Sequence, residues 1–478
     1  MHRTGSTTAR FNLVHTTARR GRALTSARAR NHRLGAGRVT LATLTVVLAA
    51  CAPGGSGNGA ETQPPTAIST DLGTKPVTLT ALTDTSVDKD SFEKLGAAFH
   101  KKYPNVTVEV KSEQFTVLQQ NGLRLISDSN APDIIRFPTL GNAVKDGLLT
   151  NLDPYAEAYG WDQFPATQLE QWRVSSDGTL RGSGPLYGMG TAFSLTGVYY
   201  NREKAAAIGM TKPPATLSEF EGLLAKADAT GDTALMTSTQ EGGMFWPYQA
   251  LMLTMGGQDT KEALSNWVFN VPGASIQTPT AVEAAQTLVD WEEKGYLPSD
   301  VVGLSNTQAV SRFTHNEGVF FYDGNWDAAT INTAMGANGG FFLLPPAEDG
   351  GEYASMSDPI NYVIPAKAQH KDAAAAFLNF AFSDEGRAII VETTGQVPGG
   401  PAEAAVPSTD AGAVIHDTLV AFQQLNADDG ITPYIGNATA TMYTDTIIPQ
   451  FQLLAAGRVS PTDFVAKLQS DYESQLGR

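Results

Sequence analysis

Apolar and polar residues alternate from Val77 to Leu82 (Val-Thr-Leu-Thr-Ala-Leu), a period of two that predicts a strand. Phe92, Leu95, Phe99 and Tyr103 then recur at helical spacing, and Pro104 ends the run. Val106, Val108 and Val110 restore the alternation. Ile134-Ile135, after Pro132-Asp133, forms a short apolar strand, and Gly197-Val198-Tyr199-Tyr200 predicts another. The order β-α-β-α-β predicts a mostly parallel sheet with helices on its faces.

Helix starts are written in the polar positions. Thr216-Leu217-Ser218-Glu219 reads as a capping box, in which the Thr side chain and the Glu three residues on satisfy free amides. Thr280-Ala281-Val282-Glu283 predicts a second one, opening a helix through Val282, Leu288 and Val289 that stops near Gly295. The alanine-rich run Asp372–Phe382 is a third helix. Ser460-Pro461 opens the last, with Phe464, Leu468, Tyr472 and Leu476 as its apolar stripe. The chain has no internal repeat and no heptad pattern.

The first fifty residues differ from the rest. They carry nine Arg and no Asp, Glu or Lys, and they end in an apolar run from Val39 to Ala50. That run is too short to span a bilayer, which takes roughly 20 apolar residues. It fits the apolar core of a signal peptide behind a positive flank. Leu48-Ala49-Ala50-Cys51 follows, and Cys51 is the single cysteine of the chain. This tetrapeptide resembles the lipobox of bacterial lipoproteins. The resemblance implies cleavage before Cys51, a lipid on its thiol, and a protein tethered to the outer face of the plasma membrane. Residues 51–75, with Gly54-Gly55-Ser56-Gly57 and Pro64-Pro65, then form a linker.

Charge narrows the function classes. The chain holds 33 basic and 49 acidic residues. Without the nine leader Arg, 24 basic residues face those 49, a net of −25. Such a surface repels nucleic acid and polyanions. The length beyond the leader suits two domains of ~100–200 residues each. Catalytic signatures are missing: there is no G-x-S-x-G, H-E-x-x-H, Walker loop or C-x-x-C. His100, His315, His370 and His416 are scattered, so neither a metal site nor a cofactor is expected. The acidic residues are numerous enough that a carboxylate pair for glycoside hydrolysis stays open on counting alone.

The order of short segments carries more. Phe99-His100-Lys101-Lys102-Tyr103-Pro104-Asn105-Val106 precedes Ala131-Pro132-Asp133-Ile134-Ile135, Gly147-Leu148-Leu149 and Leu152-Asp153-Pro154-Tyr155. Gly197 to Glu203, Pro213 to Phe220, Glu317 to Trp326, Leu344-Pro345-Pro346, and Ser383-Asp384-Glu385-Gly386 follow, with Gly395-Gln396-Val397-Pro398 beyond. This series resembles the extracellular solute-binding proteins of ABC importers, in the carbohydrate-type group that includes maltose-binding protein. The likeness covers nearly all of 77–478. It implies an α/β fold of two lobes, each a mostly parallel sheet flanked by helices. Lobe 1 is expected at 76–193 plus 350–384 and lobe 2 at 194–349 plus 385–478. The three crossings are expected near Phe193, Pro346–Gly350 and Asp384.

The resemblance also implies a function without chemistry. A monomer captures a sugar in the interlobe cleft, closes by hinge motion and docks on a permease pair driven by an ATPase. Polyamine or peptide binding, sensing, and a surface glycoside hydrolase are the rival readings. A cationic ligand would call for clustered Asp and Glu in the cleft. A sugar site needs flat aromatic faces and side chains that donate and accept hydrogen bonds. The candidates are Trp246 in Gly242–Pro247, and Asp323, Asn325 and Trp326 in the Asp-Gly-Asn-Trp turn. Arg136 and Phe137 follow the Ile134-Ile135 strand. Asp84 and Glu113 stand at strand ends, where α/β sheets bind ligands. Ser194, Tyr187 and Tyr362 lie beside the expected crossings. Trp161, Trp172, Trp267 and Trp291 are read as structural.

Overall fold

A computed structural model describes residues 68–85, 87–138, 140–401 and 411–478. The expected leader, Cys51 and the first part of the linker lie outside them. Val77–Asp84 runs parallel to Val106–Glu113, in register from Val77 opposite Val106 to Asp84 opposite Glu113. It also runs parallel to Ile134–Arg136 on its other side. The helix Lys89–Lys102 connects the first two strands, with Phe92, Leu95 and Phe99 buried as the spacing predicts. Pro359–Val363, Met189–Phe193 and Val397–Pro398 extend this sheet antiparallel to six strands. The second sheet has four strands in the order Gly339–Phe342, Thr196–Asn201, Phe320–Gly324, Leu235–Met236, and only its last pair is parallel. Both sheets are therefore mixed. Strands close in sequence pair in parallel through crossover helices, as expected for 77–136. In the first sheet Pro359–Val363, which returns after a passage through the other lobe, enters from the opposite end.

Helices cover both faces of the second sheet, so its strands are buried throughout. Val198, Tyr200, Phe320, Tyr322 and Phe342 face one core, and Tyr199, Phe321 and Phe341 face the other. That is the two-residue period of a strand. The first sheet has its own core around Phe92, Ile134, Trp161 and Phe377.

Met189–Phe193 in one sheet leads straight to Thr196–Asn201 in the other, through Ser194-Leu195. The chain returns between Phe342 and Pro359. These two passages touch: Ser194 N donates to the Asp358 carbonyl at 2.9 Å. The last passage comes later than expected. The helix Asp384–Thr394 packs on Lys89–Lys102, and Val397–Pro398 closes the edge of the first sheet, so the chain leaves that sheet beyond Pro398 rather than near Asp384.

Local polar chemistry accounts for the element ends. The Thr216 side chain accepts from Glu219 N at 3.2 Å, while Glu219 accepts from Ala215 N rather than from the cap residue itself. Thr278, not Thr280, caps the next helix, accepting from Ala281 N at 3.1 Å with Pro279 as the first helical residue. A proline there costs nothing, because the amide it lacks has no partner anyway. Ser460 caps Pro461–Gln475 as expected. Asp133 joins three elements: its carboxylate accepts from Thr80 N (2.9 Å), Thr80 Oγ1 (3.0 Å), Gln369 N (3.0 Å) and His370 N (2.9 Å). The Pro-Asp-Ile-Ile segment thus pins the first strand to the start of Lys371–Ala381.

Among the described residues no helix is long and apolar enough to cross a membrane.

Candidate functional site

The three parallel strands of the first sheet point their carboxyl ends at one place. Asp84, Gln114 to Thr116, and Arg136 follow or end those strands, and all of them line a cavity of about 590 Å³. That size lies within the range of about 300–1,000 Å³ usual for small-molecule sites. The second lobe supplies the facing wall from Glu241, Phe245, Trp246, Asn306, Trp326, Asp327, Tyr434 and Tyr443. Ser194 and Asp358, from the two touching passages, line it as well, with Ile360 of the strand that follows.

The floor is aromatic. Trp246 stands in the first turn of the long helix Phe245–Val268, where Pro247 is tolerated because first-turn amides have no helical partner. Trp326 sits in the short turn Asn325–Asp327. Their ring centroids are 4.8 Å apart, at 58°. Gly324 makes room for this: a Cβ there would lie 2.2 Å from ring atoms of Trp326. Across the cavity, Phe115 of the first lobe meets Tyr443 of the second with centroids 5.8 Å apart, and the Arg136 guanidinium stands 5.6 Å over the Phe115 ring. Tyr443 donates its hydroxyl to the Glu241 carbonyl at 2.5 Å. This holds Glu241 in a left-handed conformation (φ 58°) that few non-glycine residues adopt.

The walls are acidic. Asp84, Glu241, Asp327 and Asp358 line the cavity, against Arg136. Asp358 accepts from Tyr434 N at 3.3 Å and from Asn437, and it feels the charge of buried Arg181. Burial still lifts its pKa to about 6, Arg181 opposing. Burial also lifts Asp327 to about 6, while its carboxyl partner Asp323, deeper behind it, is pushed well above the carboxylate range by burial and by the Asp327 charge. Asp88, buried within the field of Arg136, rises to about 7 through burial, Arg136 opposing.

These shifts set a pH dependence. A carboxyl whose folded pKa exceeds its unfolded value near 3.9 binds protons more tightly in the native state. Asp88, Asp327 and Asp358 therefore make stability fall as pH rises from about 4 to 7. Asp88→Asn, which removes the charge that burial penalises, is expected to raise stability at pH 7 by about 2–4 kcal/mol. It should also flatten that slope. Urea melts at pH 5 and pH 7 on both proteins check this, and a lower midpoint for the variant at pH 7 would refute it.

The expected ligand residues divide into two groups. Asp84, Arg136, Ser194, Trp246 and Trp326 are brought together on the cavity wall. Phe137, Asp323, Asn325, Tyr362, Tyr187 and Glu113 are not part of it. Phe137 packs into the first core, its ring over Gly122. Tyr362 is buried against Phe92, with centroids 4.3 Å apart. Asn325 braces the first passage: it donates to the Phe193 carbonyl and accepts from Leu195 N, both at 3.0 Å. Asp323 lies fully buried on its strand. Tyr187 packs beside the first core, and Glu113 is exposed next to the lining residues Gln114 and Phe115. The four tryptophans read as structural are buried, and three of their indole N–H groups bond at 3.0 Å, to Asn379, Gln469 and Glu221. Among the described residues no group of His, Cys, Asp or Glu could hold a metal ion.

The model of the bacterial extracellular solute-binding protein family matches residues 83–388. A binding protein of Brucella abortus is 24% identical over 354 residues, covering 72% of this chain and 80% of that one. Among solved structures, a chitin oligosaccharide binding protein superposes with a TM-score of 0.70 at 21% identity, covering 84% of this chain and all of that one. MalE3 of T. maritima, bound to maltose, gives 0.65 at 16% identity over 83% of this chain and 99% of its own. RafE in complex with raffinose gives 0.63 at 18% identity over 84% of this chain and all of its own. The shared architecture is the two-lobed, periplasmic-binding-protein-like fold, and the family is one of binding proteins rather than enzymes.

Proposed function

This chain belongs to the bacterial extracellular solute-binding proteins, and from that premise we propose that it captures a mono- or oligosaccharide in the cavity and delivers it to an ABC permease and its ATPase. The observation that carries the sugar reading is the Trp246–Trp326 pair on the wall of a cavity that also presents hydrogen-bonding side chains, among them Asp84, Arg136, Glu241, Asn306 and Asp327. Sugar rings present C–H faces to such aromatic surfaces and a rim of hydroxyls to the polar groups around them. The binding of chitin oligosaccharide, maltose and raffinose by the structural neighbours supports the same class. Ser194 and Asp358, on adjoining passages, mark the hinge about which the lobes close.

A thermal-shift screen against saccharides tests the reading. A ligand that binds only the folded form raises the midpoint, by about 2.7 kcal/mol of stability at a hundredfold excess over Kd. No shift with any saccharide would refute it. We also propose that Cys51 carries a lipid that keeps the protein on the outer face of the plasma membrane, since it ends the apolar run and precedes the linker. Fractionation of cells making Cys51→Ser decides this: retention of the variant in the membrane would rule the anchor out.

A further inference from the structure

The acidic residues of the cavity are unevenly compensated. On the first-lobe side, Arg136 stands near Asp84, donates to the Asn361 side chain at 2.7 Å and lies over Phe115. At the passages, Asp358 has the field of Arg181 behind it. On the tryptophan side the balance fails. Glu241 and Asp327 both line the cavity, and neither has a cationic side chain within 4 Å among the described residues. Asn306 sits between them, giving its backbone N–H to Glu241 Oε2 and its side-chain amide to Asp327 Oδ2, each at 3.1 Å. One residue thus fixes two carboxylates on the same wall. The start of the helix Asn306–Thr314 adds a partial positive charge there, about half a unit, which leaves two carboxylates short of a full counter-ion.

Tyr434 is a second, independent sign of a ligand. It lines the cavity and is only 7% exposed, and its hydroxyl has the Ser194 hydroxyl beside it but no hydrogen bond of good geometry within the protein. A buried hydroxyl left so costs free energy until something in the cavity meets it. Trp326 is the residue before Asp327, so an aromatic face and a carboxylate stand side by side. Indole faces attract cations through the ring quadrupole, most strongly when water is excluded.

We infer that the ligand is an amine-bearing saccharide whose ammonium group seats between Glu241 and Asp327, against Trp326. This rests on the sugar reading and narrows it. Hydroxyls of a neutral sugar can donate to both carboxylates, but they leave the two charges uncompensated in a closed cleft. An ammonium supplies donors and charge together. The strongly acidic surface beyond the leader also draws cations toward the cleft.

Matched sugars test it on the full-length protein. β-Linked oligomers of glucosamine, N-acetylglucosamine and glucose differ only at C2, as ammonium, acetamide or hydroxyl. Glucosamine with glucose, and galactosamine with galactose, extend the series to single rings. Calorimetric titration at neutral pH is expected to show the amine member binding tenfold or more tightly than its partners. The advantage should shrink in 0.5 M salt, and in Glu241→Gln and Asp327→Asn. The unmodified protein alone decides the matter, so a variant that fails to fold costs nothing. Equal or tighter binding of a neutral or acetylated member overturns this inference and leaves the sugar reading standing. No binding by any member overturns this inference, and binding of spermidine when no saccharide shifts the melting point overturns both.

Discussion

Arg181→Met is expected to lower folding stability by about 3–5 kcal/mol, the cost of removing one partner from a buried charged network. Arg181 is 5% exposed, and its side chain reaches three backbone carbonyls at once. Nη1 donates to the carbonyls of Asn437 and, at 3.5 Å, Val268, and Nη2 donates to that of Gln171 at 3.3 Å. Its backbone N–H bonds the Phe269 carbonyl at 2.9 Å. Its charge also opposes the effect of burial on Asp358. Burial lowers the Arg181 pKa to about 10, Asp358 holding it up, so the guanidinium stays charged at neutral pH. Methionine fills similar volume but removes the donors to these carbonyls and leaves Asp358 with only the weaker field of Arg136. Arg181→Lys keeps the charge and loses the fork, so it should fall between the two. Urea melts of the three proteins give the order, and a Met variant as stable as the parent would refute the role.

Arg181 also shows why part of this molecule was legible in its sequence and part was not. Strand alternation, capping residues and the order of segments are local, and each maps onto an element: Val77–Asp84, Lys89–Lys102, Val106–Glu113, Pro461–Gln475. The helix Phe245–Val268 left no such signal. Its residues from Phe245 to Leu253 are buried on all sides, which erases the 3.6-residue stripe, and Gly257 (φ 58°, ψ −148°) breaks it in the middle. The second cap lies two residues before the Thr-x-x-Glu pattern, at Thr278, where Pro279 opens the helix.

The site divides along the same line. Strand ends point to Asp84, which lines the cavity, and to Glu113, which stops one residue short of it, because a parallel sheet aims its carboxyl ends at a cleft. Turn position alone could not sort Trp326 from Asn325. One faces the cavity, and the other spends its amide on the backbone of the crossing. Glu241, Asn306, Asp327, Tyr434 and Tyr443 are not among the expected ligand residues, since only the fold brings Glu241 and Tyr443, 202 residues apart, to one wall. Asp327 had a signal, being the neighbour of a singled-out tryptophan. Glu241 had another, preceding Gly242-Gly243 in a turn that needs positive φ. Clustered cleft carboxylates were the stated mark of a cationic ligand, and whether Asp and Glu cluster is a property of packing that counting along a chain does not reveal.

Trp326→Ala is expected to weaken saccharide binding tenfold or more, roughly 1.5–3 kcal/mol, with little loss of ligand-free stability. Trp326 is half-buried and packs at the edge of the second-lobe core, so removing it takes a face from the cavity and little from the interior. Trp246→Ala differs. That ring is 6% exposed and belongs to the core, so the truncation should cost about 3–5 kcal/mol of folding energy as well as affinity. The two rings touch, and Trp246 backs Trp326, so the double variant should lose less affinity than the two single losses added together. Calorimetric titration with a saccharide that shifts the melting point, beside urea melts of the free proteins, separates the effects. Unchanged affinity in Trp326→Ala would remove the aromatic wall from the site. Additive losses would mean that each ring meets the ligand independently, and that Trp246 is a binding surface in its own right rather than the support of its neighbour.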